Sequence, residues 1–299
     1  MSEFLQQLLN GLALGAIYAL IALGYTMVYG VLRFINFAHS DIFMVGAFAA
    51  YFAGRWFGRA LPPESPFGAA VIVLLAMSFC AALGVVIEKL AYRPLRDRSR
   101  LNVLITAIGV SLFLEYTGQL LFGADPKTFR LLTSRNVELG GLVLNSNQLI
   151  VFSVTILLLL ALRHIVMRTR MGTAMRAVSF NHQAAALMGI NIDSIISFTF
   201  ALGSALAGAG GILYAMNYPS IDPLMGVMPG LKAFVAAVLG GIGNIPGAAL
   251  GGVVLGLVES FVRGSRYSTF ADAIAFAILI LILLFRPAGL LGRSVVEKV

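Results

Sequence analysis

Residues 163–193 read RHIVMRTRMGTAMRAVSFNHQAAALMGINID, a basic, helix-forming interval between two apolar runs, 139–162 and 194–221. Each run is free of charge and longer than the roughly 18 residues a membrane-spanning helix needs. Intervals between spans are usually short. A structured one on the basic side implies a surface that docks something in the cytoplasm.

Outward from this stretch the pattern repeats. Charge-free runs cover 4–32, 65–87 and 233–258, while 42–54, 101–114 and 273–285 reach full length only with a neighbouring ionisable residue. Apolar residues make up 59% of the chain and charged ones 11%, too few charges to cover a soluble protein of 299 residues. The expected fold is all-α: one polytopic transmembrane domain over 1–299 with 8–9 spanning helices, some broken or re-entrant. Only Met1, Ser2 and Glu3 precede the first run, which lacks the basic start of a cleaved signal peptide and is expected to stay as a span.

The ionisable residues exclude several functions. Cys80 is the single cysteine, and His39, His164 and His182 are scattered, so no disulfide and no metal cluster is expected. The net charge of +8 lies in residues flanking spans, which assigns it to lipid headgroups and not to nucleic acid. With 163–193 placed in the cytoplasm, Arg33, Lys89, Arg93, Arg96, Arg98, Arg100, Arg163, Arg168, Arg170, Arg176, Arg286, Arg293 and Lys298 fall inside. Arg55, Arg59, Lys127, Arg130, Arg135, Lys232, Arg263 and Arg266 fall outside. That is thirteen against eight, which puts the amino terminus outside and the carboxyl terminus in the cytoplasm.

Two irregular stretches interrupt the spans. Gly240, Gly241, Gly243, Pro246 and Gly247 must break the helical run at 231–261, as half of a re-entrant hairpin or a short tilted span. In 33–48, Asn36, His39 and Asp41 sit at the start of an apolar helix. They read as interfacial caps and anchors, or alternatively as the lining of a gate. Glu115 reads as an anchor towards the outer end of its span, and Glu259 and Asp272 as similar anchors beside an outer loop. No acidic–basic pair is expected at mid-membrane.

Within the basic interval, Met171, Met175 and Val178 fall at i, i+4 and i+7, opposite Arg176 and Ser179. Asn181 suits the N-cap of a second short helix that Gly189 would close in the left-handed conformation. That helix is mostly alanine (Ala184, Ala185, Ala186), which suits a protein groove better than a lipid interface.

These residues resemble a known family, the permease subunits of branched-chain amino acid ABC importers, in particular the LivH-like member of the LivH/LivM pair. The resemblance runs through the whole chain. It is carried by 11–48, by MGTAMRAVSFNHQAAALMGIN at 171–191, and by VLGGIGNIPGAALGGVVLGLVES at 238–260 with RPAGLLG at 286–292. Gln183, Ala184, Ala185 and Gly189 resemble the E-A-A-x-x-x-G coupling motif of such permeases, with Gln in place of Glu. Ser40 and Asp41 stand where many relatives carry Gly-Glu.

The resemblance implies a bacterial inner-membrane transporter subunit with no cofactor of its own. No G-x-x-x-x-G-K-[ST] occurs, so ATP would be bound by two separate cytoplasmic ATPase subunits. A coupling segment containing Gly172, Met175, Arg176, Asn181, Gln183, Ala184, Ala185 and Gly189 would dock one of them. A second, LivM-like permease would take the other, and an extracytoplasmic solute-binding protein would deliver substrate to outer loops including 217–230. Asn36, His39, Asp41, Gly241, Gly243, Asn244 and Pro246 would belong to the translocation path or gate. Gly203, Gly208, Gly210 and Gly211 would serve close helix packing. Rival readings are a urea or short-amide permease of the same architecture, an ion-coupled secondary transporter, and an intramembrane protease pairing His39 with a serine.

Overall fold

A computed structural model of the chain describes residues 2–60, 62–96, 98–128, 130–132, 134–139 and 142–292; Arg293 and Lys298 lie outside it. In chain order the helices are α1 Ser2–Leu32, α2 His39–Phe57, α3 Pro66–Ile87, α4 Arg100–Phe122, α5 Ser146–Arg168, α6 Arg170–Phe180, α7 His182–Leu187, α8 Ile192–Asn217, α9 Val227–Gly240, α10 Ile245–Arg263 and α11 Ala271–Phe285. Seven of these, α1, α3, α4, α5, α8, α10 and α11, mark stretches long and apolar enough to cross a membrane.

The only strands among the described residues are four short ones. β1 Lys127–Thr128 pairs antiparallel with β4 Ser220–Ile221, and β2 Asn136–Leu139 pairs with β3 Leu142–Asn145 in a hairpin. The hairpin takes the first residues of the apolar run at 139–162. The span itself starts at Ser146, because Asn145 caps it by accepting from the Asn147 amide at 2.8 Å.

The helices divide into a core and a rim. In the most apolar stretches of the spans, 94% of α1 and 72% of α8 are buried, against 17% of α4 and 11% of the last span. Leu120, Phe113, Leu157 and Leu284 are accordingly bare on the rim, as hydrocarbon-facing side chains should be.

Glycines let the core helices touch. Gly11 and Gly15 on α1 face Gly252 and Gly256 on α10, each set four residues apart. A Cβ on Gly256 would stand 2.2 Å from the Gly15 nitrogen, and one on Gly15 would stand 2.7 Å from the Val253 Cα. Association in lipid rests on such close backbone contact. The glycines of α8 behave in the same way: a Cβ on Gly211 would lie 2.0 Å from the Phe43 carbonyl oxygen of α2, and one on Gly208 would lie 2.7 Å from Cys80 Sγ of α3.

Two breaks turn the core helices. α1 ends where Arg33 takes φ 56°, a left-handed conformation rare for a side chain of that size. The chain at 33–38 then folds back, and α2 begins with His39 against Gly24, eight residues or about 12 Å before the carboxyl end of α1. The second break is a tight turn between α9 and α10. Gly241 and Gly243 have φ 104° and 92°, Pro246 sits in the first turn of α10, and Asn244 caps that helix by accepting from the Gly247 amide at 3.1 Å.

Gly240 and Gly247 meet backbone to backbone. The segment after α11 closes over the turn, Leu290 and Leu291 donating amides to the Leu239 and Gly240 carbonyls at 2.8 and 3.1 Å. Its glycines are thus consumed by a turn and a close crossing. At 14 residues α9 is about 21 Å long, short of a bilayer core of about 30 Å.

Candidate functional site

Local sequence builds the loop between α5 and α8. Thr169 ends α5 and caps α6, its hydroxyl accepting from the Gly172 amide at 3.1 Å. Gly172 packs onto the last turn of α5, where a Cβ would lie 2.2 Å from the Ile165 carbonyl oxygen. Asn181 is extended and caps α7, accepting from the Ala184 amide at 3.0 Å. α7 closes through Gly189 at φ 80°. The Gly189 amide donates to Ala186 at 2.9 Å and the Ile190 amide to Ala185 at 3.1 Å, the two bonds of a Schellman turn. The loop is therefore two helices held by caps at every end.

Burial sorts the sequence-derived residues into two groups. Gly172, Met175 and Ala185 turn inwards and seat the two helices on the body, together with Val178. Arg176, Asn181, Gln183, Ala184 and Gly189 stay exposed or half-exposed. Met171 is a correction: it is exposed, and the buried stripe runs 172, 175, 178 because Gly172 brings that face against α5.

The most prominent side chains of the loop are ones that the sequence pattern does not single out. Phe180, Leu187 and Met188 are 87%, 88% and 82% exposed. They flank the caps at Asn181 and Gly189. Once Ala185 is known to face inwards, the period of the helix puts Leu187 on the free side, and Met188 follows as the residue that ends α7. Beside them His182 lies near the Arg33 and Arg96 guanidiniums, and partial burial followed by these two cations lowers its pKa.

The break at 33–38 leads into the bundle interior. Asn36, His39 and Asp41 are all buried to within 2% of fully. The expectation of interfacial caps and anchors fails, since α2 has no side-chain cap and neighbouring helices cover all three residues. Asn36 accepts from the Tyr92 hydroxyl at 2.5 Å and Asp41 from the Ser111 hydroxyl at 2.6 Å. The His39 ring lies 4.7 Å from that of Tyr25, and its Nε2 is buried without a hydrogen-bond partner among the described residues.

Glu115 stands on α4, four residues after the Ser111 that donates to Asp41, and is only partly buried. Ser40 rests against the start of α9, where a Cβ on Gly230 would stand 2.2 Å from the Ser40 Cβ. Residues 217–230 are consequently only partly a free loop. Gly241, Gly243, Asn244 and Pro246 sit apart from Asp41, in the turn described above.

The charges of α9, α10 and α11 correct a further expectation. Lys232 is not an outer-loop residue. Its ammonium is buried in α9, 2.6 Å from the Glu259 carboxylate of α10 and 2.6 Å from Asp272 of α11. Glu259, itself 1% exposed, also pairs with Arg263 at 2.5 Å and accepts from the Tyr18 hydroxyl of α1 at 2.8 Å. This buried cluster, near the start of α9 and the end of α10, ties four helices together.

Known proteins match this chain along its length. The family model described as the permease component of the branched-chain amino acid transport system matches residues 7–283. The high-affinity branched-chain amino acid transport system permease protein BraD of Pseudomonas aeruginosa is 43% identical over 99% of this chain and 98% of its own length. LivH of Escherichia coli, whose name describes the same kind of permease, is 41% identical over the same shares of the two chains. A probable LivH of Methanocaldococcus jannaschii is 27% identical over 91% of this chain and 88% of its own. With a core of glycine-packed helices, a capped loop outside the spans and this end-to-end similarity, the chain belongs to the branched-chain amino acid transport permease family.

Proposed function

We propose that this chain is the membrane-spanning permease subunit of an ATP-binding-cassette importer for branched-chain amino acids, driven by separate ATPase subunits. The observation that carries the motor-driven part is the bare trio Phe180, Leu187 and Met188 on a capped helical pair outside the spans. Large apolar side chains that project from a rigid loop are costly in water and suit a groove on a partner. The names of the relatives support the substrate class.

On this reading α2 is also a span and α9 a short inward one, which makes nine crossings. The basic clusters around Arg93–Arg100 and Arg163–Arg176 lie in the cytoplasm, the amino terminus lies outside, and the chain sits in the inner membrane. Two ATPase subunits dock beneath, one on this chain and one on a second permease, and they bind the ATP. A solute-binding protein delivers substrate from the outer side. In this scheme Gly172, Met175 and Ala185 seat the coupling helices, while Gln183, Ala184, Phe180, Leu187 and Met188 offer the contact. Asn36, His39 and Asp41 line the gate, and 241–246 is the turn on which α9 and α10 move.

Uptake by the reconstituted importer tests the proposal. Proteoliposomes loaded with ATP and supplied with the binding protein should accumulate labelled leucine, isoleucine or valine, and should ignore labelled urea. Uptake that persists without ATP and collapses with the ion gradient would contradict it. So would a preference for urea.

A further inference from the structure

A charged cluster joins the docking loop to the break before α2. α3 does not stop at Ile87 but continues as a π-turn, Glu88–Tyr92, and a 3-10 turn, Arg93–Leu95. Glu88 in this turn is fully buried. Its carboxylate pairs with the Arg96 guanidinium and accepts from the Ser197 hydroxyl of α8 at 2.5 Å. Arg96 also reaches Asp193 at 2.5 Å, and Arg93 pairs with the same carboxylate.

Asp193 stands in the first turn of α8, two residues after the Asn191 cap and three residues beyond the Ile190 that closes α7. On its other side the π-turn holds the break. The Tyr92 hydroxyl donates to Asn36, and its ring lies 5.2 Å from Phe34 and 5.4 Å from Phe200.

Stability alone accounts poorly for this arrangement. Arg93 and Asp193 are each nearly half exposed, and ion pairs of that kind contribute little. Burying Glu88 with Arg96 is at best near neutral against an apolar pair of the same volume. A π-turn adds a residue to a helical turn, strains its hydrogen bonding and recurs at functional positions. What the cluster does supply is a stiff connection, with Glu88, Arg96 and Asp193 each held by two partners.

We infer that the π-turn with Glu88, Arg96 and Asp193 is a strut that carries displacement of α7 and the base of α8 to the 33–38 break. Arg96 and Asp193 act as positioning residues and Tyr92 as the final contact. The inference rests on the function proposed above. Movement of the docked loop pulls on Asp193, the two arginines pass it to the turn, and Tyr92 shifts Asn36 at the mouth of α2.

The test uses the whole importer in liposomes and reads three quantities: ATPase co-purification, ATP hydrolysis, and amino acid transported per ATP. Asp193→Asn and Tyr92→Phe should keep co-purification and hydrolysis while transport per ATP falls about tenfold, and Asp193→Glu should recover most of it. Tyr92→Phe keeps the ring and the fold, so it remains informative if loss of the Asp193 charge unsettles the loop. If both variants keep the wild-type ratio, the strut is wrong and the docking surface still stands. If Asp193→Asn releases the ATPase, Asp193 belongs to the docking surface and the strut is again wrong. An unmodified chain that binds no ATPase would overturn the proposed function, and the strut with it.

Discussion

The Lys232 ammonium lies 2.6 Å from the Glu259 carboxylate, both side chains buried, one on the short α9 and the other on α10. Removing the Glu259 charge leaves the buried ammonium with only the half-exposed Asp272, and takes from Arg263 and Tyr18 the carboxylate they share. Glu259→Gln should cost about 3–5 kcal/mol of stability, visible as a lower unfolding midpoint in detergent. Lys232→Met combined with Glu259→Gln should recover part of the loss. Equal midpoints for Glu259→Gln and the wild type would mean that the pair does not hold α9.

The glycine seam between α1 and α10 makes a contrasting prediction. Gly256→Val drives a side chain into the Gly15 backbone and should prevent a folded permease from accumulating in the membrane. Gly109 on the rim helix α4 has open space where an alanine methyl would stand, with nothing within 4 Å, so Gly109→Ala should be neutral or stabilising by up to about 1 kcal/mol. Membrane-fraction yield and thermal midpoint check both.

His182 supplies a pH dependence. Partial burial, and then Arg33 and Arg96, hold its folded pKa below the ordinary value. The unfolded chain therefore binds more protons, so the stability that depends on neutral His182 is present above the unfolded pKa of about 6.5 and is lost as pH falls through it. The thermal midpoint of the wild type should drop more than that of His182→Gln between about pH 7.5 and about pH 5.5. Parallel curves would place the pH dependence elsewhere.

Much of this was legible because it is local. Helix caps depend on a few adjacent residues, and Asn181 and Gly189 are placed as their residue types suggest. Long apolar runs likewise announce spans. Which way a helix faces is a different matter, being set by contacts far along the chain. Ala185 turns inwards because Gly172 lets α6 fold across the end of α5, and nothing near Ala185 signals it.

Lys232 resembles a loop residue until α10 brings Glu259 beside it from 27 positions away. Asn36 and Asp41 pass for caps because sequence does not reveal that α2 starts about 12 Å inside the bundle. Glu88 ends an apolar run like any interfacial acid. Only the π-turn and the approach of Ser197 and Arg96 bury it.

The most direct measurement concerns the apolar trio of the docking loop. Leu187 and Met188 are almost fully exposed, so changing them to aspartate leaves the packing of the chain untouched. The Leu187→Asp, Met188→Asp variant should reach the membrane in normal amount, retain its thermal midpoint and lose its ATPase subunit on affinity purification. An ATPase that co-purifies at full stoichiometry with that variant would show that the motor does not dock there, and the account of this chain as a permease driven through its α6–α7 loop would fail.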